Sequence, residues 1–147
     1  MITDTITQKI GEALKAHDEI RLSTLRLLSS ALNYEFIALQ HKLSKDEELV
    51  VVRREAKKRK EAIEAYTKAK AIDRANKENE ELKILQEYLP PETSAEEILK
   101  FVDQAIAQTG ARSMADMGKV IGLVKEMSKG AADGAKVALL VRQKLES

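Results

Sequence analysis

Apolar residues recur every three or four positions along most of the chain, the spacing of an amphipathic helix, and no stretch worth defending alternates with the period of two that marks a strand. Ile6, Ile10, Ala13 and Leu14 mark one face of a first helix, which opens after Thr3 or Asp4 as cap and breaks near His17 and Asp18. Leu22, Leu25, Leu28, Leu32, Phe36 and Leu39 carry a second. Ser44 with Glu47 three residues on is a capping-box pattern, and Asp46 to Glu48 complement the dipole of the helix they open. That helix is predicted to run to about Ala71, with Leu49, Val52, Ala56, Ile63 and Tyr66 on one face. A fourth, roughly Arg74 to Tyr88, turns Leu82, Leu85 and Leu89 inward.

Pro90 and Pro91 stop the pattern. They are the only prolines, and a proline pair cannot continue a helix. The predicted domains are therefore residues 1–90 and 91–147. In the second, Ser94 and Glu97 repeat the capping-box spacing, Ile98, Val102 and Ile106 form a stripe, and Gly110 ends the helix. Ser113 is positioned to cap a following helix that Gly130 ends, and Asp133 to cap a last one carrying Val137, Leu140, Val141 and Leu145. The expected fold is all-α: about four helices, then a three-helix bundle.

Composition agrees and removes several chemistries. Aromatic residues make up 3% of the chain and Trp is absent, so the core is built from Leu, Ile, Val and Ala. The absence of cysteine excludes disulfides, thiolate zinc sites and thiol catalysis. Net charge is +1, with 17 basic and 16 acidic residues before Pro91 and eight of each from it onward, so any nucleic-acid surface must be local. No run approaches the roughly 18 apolar residues of a membrane span, and the first residues mix polar with apolar unlike a signal peptide, so a cytoplasmic protein is expected.

There is no phosphate-binding glycine loop, no zinc-protease motif and no serine set in a nucleophile turn. His17 and His41 fall at predicted helix ends and read as surface or capping residues. No carboxylate pair stands out, and no catalytic residue, metal ligand or cofactor is assigned. Two basic features remain. Residues 53–60, RREAKKRK, place Arg53, Lys57 and Lys60 on one flank, with Arg59 on the apolar stripe. They read either as a phosphate-contacting stripe or, preferably, as a solvated face paired with Glu61 and Glu64, Arg59 snorkelling.

The second feature is "ADMGKVIGLVKEMSKGAADG", residues 115–134. Gly118 and Gly122 lie one turn apart in a helical run, each at a cost of about 1 kcal/mol relative to alanine. They admit a close backbone approach, by a neighbouring helix or by a sugar-phosphate chain. Packing alone is the first reading on physical grounds. Lys119, Lys125, Lys129 and Gly130 stand beside them.

This segment, with "KKRKEAIEAY", "ELKILQEYLP" and "LSTLRLLSSALNYE", resembles the GatB/YqeY family over essentially the whole chain. The resemblance implies a C-terminal domain similar to the tail of the B subunit of the tRNA-dependent amidotransferase, which helps hold misacylated tRNA. It also implies tRNA as partner, with amidotransferase or aminoacyl-tRNA synthetase subunits as further partners, and it carries the label of a carbon–nitrogen ligase using glutamine as amido-nitrogen donor. The family motif is roughly G-x-x-M-K-x-x-K-G-x-A-(N/D); here Gly122, Lys129, Gly130, Ala132 and Asp133 match, whereas Lys125 and Glu126 replace the Met-Lys pair. The enzyme's ATP-binding and glutaminase parts have no counterpart in this chain. The expected function is thus a non-catalytic tRNA-binding or amidotransferase-associated module, with a ligase subunit active in a complex and a protein-interaction module as alternatives. The tRNA-binding candidates are Gly118, Lys119, Gly122, Lys125, Lys129 and Gly130, with Arg53, Lys57 and Lys60 secondary.

Overall fold

In the computed structural model, which describes residues 1–146, the chain forms seven α-helices and no strand among those residues. These are α1 (Ile2–Lys15), α2 (Glu19–Leu39), α3 (Lys45–Lys68), α4 (Ile72–Gln86), α5 (Ala95–Thr109), α6 (Met117–Met127) and α7 (Gly134–Glu146), with a single 3₁₀ turn, Met114–Asp116, before α6. The fold is all-α. The helices gather into two compact units that separate between Leu89 and Pro90.

In the first unit, Ile6, Leu28, Leu32, Leu43, Val51, Val52 and Leu85 form the core, with Ile10 and Leu89 packed against it. Three positions expected to face inward are at the surface instead. Leu14, Phe36 and Leu39 are exposed. α1 also starts earlier than Thr3 and lacks a side-chain cap of its own. Its cap comes from α3: the buried Glu48 carboxylate accepts the Ile2 amide at 3.2 Å, and the Thr3 amide and hydroxyl at 2.7 Å each. Free amides at a helix start need an acceptor, and a carboxylate there also meets the positive dipole end.

The Ser44 capping box is complete, and the bond from the Ser44 amide holds the Glu47 carboxyl below its usual range. α3 stops at Lys68 rather than Ala71, since Lys70 turns left-handed at φ 60°. Arg59 does not snorkel. It turns onto α4, its Nε 3.1 Å from Glu81 and 3.6 Å from Glu78, and is only 15% exposed. Burial, then the neighbouring Glu78, raises the Glu81 carboxyl above its usual range. Arg21 holds the end of α4 to α2 through both oxygens of Glu87, at 2.9 and 2.7 Å.

The second unit is a three-helix bundle around Ile98, Val102, Ala105, Val120, Val124, Val137 and Val141. Ser94 makes only half of a capping box: its hydroxyl accepts the Glu97 amide at 3.2 Å. Gly110 ends α5 at φ 69°, a conformation that costs glycine little. Ser113 does not cap α6 through its side chain; its carbonyl accepts the Asp116 amide, forming the 3₁₀ turn.

Candidate nucleic-acid interface

α6 buries Val120 and Val124 and points the opposite face to solvent. Gly118, Lys119, Gly122, Lys125 and Glu126 are all exposed there. At 100° per residue the two glycines lie side by side, with Lys119 on one flank and Lys125 on the other. A methyl group built on either glycine meets nothing within 4 Å. The preferred packing explanation is therefore overturned: no neighbouring helix comes close to either glycine in this bundle. What the pair leaves is an open, side-chain-free strip bordered by lysines.

The end of α6 carries the strip into the next helix. Lys129 and Gly130 are both left-handed, at φ 53° and 76°. The Gly130 amide donates to the Lys125 carbonyl at 3.0 Å, and the Lys129 amide to that of Glu126 at 3.0 Å. This closes the helix and aims the chain at α7. There Asp133 accepts the Lys136 amide at 3.3 Å, capping α7 as its sequence position suggests. The end of the Lys125 side chain lies over the start of α7, its Cε and Nζ 3.9 and 4.0 Å from a methyl group built on Gly134. The Thr93 amide, donating to the Ala131 carbonyl at 3.1 Å, ties this link to the lead-in of α5.

Lys119, Lys125 and Lys129 are exposed and have no ion-pair partner among the described residues. Arg112 is a fourth such cation, exposed in the turn before α6, where its amide donates to Asp116 at 3.2 Å. A lone arginine outside any basic run gave no signal in the sequence. Glu126 tempers the local positive potential.

The 53–60 run is different. Arg54 pairs with Glu35 at 3.2 Å, Lys58 with Glu55 at 3.2 Å, and Arg59 with Glu78 and Glu81. Glu64 turns instead to Lys68. Of the secondary candidates, Lys57 and Lys60 are exposed and Arg53 is half-buried. Arg54 and Arg59 thus tie α3 to its neighbouring helices, while Lys58 pairs within α3. No group of His, Asp and Glu among the described residues is arranged to hold a metal ion, and no described helix is long and apolar enough to cross a membrane.

The model of a family described as Yqey-like protein matches residues 3–145 of the chain. Among curated proteins, an uncharacterised protein of the fission yeast Schizosaccharomyces pombe is 30% identical over 89 residues, which span 60% of this chain and 72% of that protein.

Proposed function

Because this chain belongs to the Yqey-like protein family, we propose that it is a non-catalytic RNA-binding module that presents the glycine–lysine face of α6 to the sugar-phosphate backbone of tRNA. The observation that carries this reading is the pair of exposed glycines with no neighbour. Gly122, in the exposed interior of α6, costs about 1 kcal/mol and Gly118, in the first turn, less, and nothing within the bundle repays either. A visiting backbone does, since two missing side chains let phosphates approach the helix between Lys119 and Lys125. Lysine recognises phosphate as a point charge and reads no sequence. An amidotransferase or an aminoacyl-tRNA synthetase is the kind of protein that would share the bound tRNA.

A titration with bulk tRNA tests the reading. Binding is expected to be sequence-tolerant; if about three phosphates are engaged, log affinity falls with log salt at a slope of roughly −2 to −3. Lys119→Glu with Lys129→Glu weakens binding and flattens the slope, leaving the helical circular dichroism intact. Reversal of Arg53, Lys57 and Lys60 does less. If the second set abolishes binding and the first is silent, the surface lies on α3 and the α6 reading is wrong.

A further inference from the structure

The first unit displays an apolar stripe that its own core does not use. On α2, Leu27, Tyr34 and Ile37 are 49%, 76% and 60% exposed, while Leu25, Leu28 and Leu32 are buried on the other side. With Ser23 and Ser30, the outward residues follow the four-three spacing of a helix-pairing seam. A largely exposed tyrosine between a leucine and an isoleucine has the composition of an interface centre. The groove between this stripe and α3, about 330 Å³, is floored by Ala31 and the buried Val51. Its bordering charges are cancelled locally, Arg54 by Glu35 and Lys58 by Glu55. An apolar, locally neutral helix is what such a face fits.

We propose that this face binds the same face of a second copy of the chain, with the two α2 helices antiparallel. Reversing the seam sets Leu27 against Ile37 of the copy and Ser30 against its Tyr34, so the large ring meets the small residue. A parallel pair would instead stack Tyr34 on Tyr34. Charge selects the same direction. Glu19 lines the outer face of α2 with Ser23 and Leu27, and it has no ion-pair partner among the described residues. Lys45, just beyond the other end of α2, also has none. The antiparallel arrangement brings Glu19 toward Lys45 of the copy, twice per dimer, whereas a parallel one sets Glu19 beside Glu19. The contact is isologous and closes at two copies.

The cysteine-free sequence makes a clean test. Leu27→Cys and Ile37→Cys, prepared separately in the full chain, are treated with a short bismaleimide alone and mixed. Antiparallel pairing cross-links the mixture and neither variant alone, because like positions in the dimer are ten residues, roughly 15 Å, apart. Sedimentation equilibrium of the unaltered chain gives a mass near twice 16.4 kDa. Leu27→Glu with Ile37→Glu returns it to the monomer with unchanged circular dichroism. Glu19→Lys weakens the dimer by roughly two- to tenfold, and adding Lys45→Glu restores it. The proposal is overturned by a monomeric mass at every concentration, whether the thiol of the Leu27→Cys variant is then reactive or shielded by another part of its own chain. Cross-linking by either single variant overturns it as well.

Discussion

Glu48 is the residue whose removal should cost most for its size. One buried carboxylate accepts two amides and a hydroxyl from the first turn of α1. Glu48→Ala strands these donors and is expected to destabilise by about 1–3 kcal/mol in urea unfolding, with Glu48→Gln milder because one acceptor oxygen remains. This contact was illegible in the sequence, where Glu48 looks like one more acid in the first turn of α3; its partners, Ile2 and Thr3, are remote in the chain. The Ser44 box was legible because all its atoms belong to one turn of chain. The left-handed helix ends at His17, Gln40, Lys70 and Lys129 were also hidden. None is glycine, so nothing in the sequence announces the conformation. Lys70→Gly should raise stability by about 0.5–1 kcal/mol by relieving Cβ crowding, measured as an upward shift in thermal midpoint. Lys129→Gly should do the same and weaken tRNA binding, which separates the residue's backbone from its charge.

At the scale of elements, the α3–α4 pair adds a charge contact to the apolar packing that the sequence suggests. Arg59 sits at an apolar register, and only the opposing helix shows that Glu78 and Glu81 receive it. Two carboxylates share one arginine, and the Glu81 carboxyl is raised. A raised carboxyl binds its proton more tightly folded than unfolded, so this group's contribution falls as pH rises from the ordinary value of 4.5 through the folded value. Glu81→Gln leaves an Arg59–Glu78 pair and removes that loss. Its stability relative to the unaltered chain should therefore climb as pH rises through the same window and then level off, as urea midpoints at a series of pH values will show. A constant offset would mean that Glu81 does not titrate differently in the fold. For α6 the sequence showed the glycines but not their surroundings, because helix phase alone cannot say which face a bundle covers. Gly118→Ala with Gly122→Ala should stabilise the helix, by about 0.5–1 kcal/mol at the interior Gly122 and by less at Gly118 in the first turn. It should also weaken tRNA binding, if the empty strip is where the backbone approaches.

For the whole molecule, helix number and order were readable because each helix carries its own apolar period, and Ser44, the Pro90–Pro91 pair, Ser94, Gly110 and Gly130 mark several of the boundaries. The outward stripe of α2 was not, since Leu27, Tyr34 and Ile37 read as ordinary helix filling beside the stronger Leu25, Leu28 and Leu32 series. We expect the two units to unfold separately, because their cores share no residue: Leu dominates the first, and Val the second. The second unit is small enough that its buried area only just offsets chain entropy, so it should melt first. Val102→Ala removes two buried methyl equivalents and leaves a void, costing about 2 kcal/mol. It should lower only the earlier transition in calorimetry. Leu28→Ala, at about 2–5 kcal/mol, should lower only the later one. A fragment starting at Pro91 should keep helical circular dichroism at low temperature and lose it cooperatively on warming. If either core substitution shifts both transitions equally, the units fold as one, and the proline pair is a bend within a single cooperative structure.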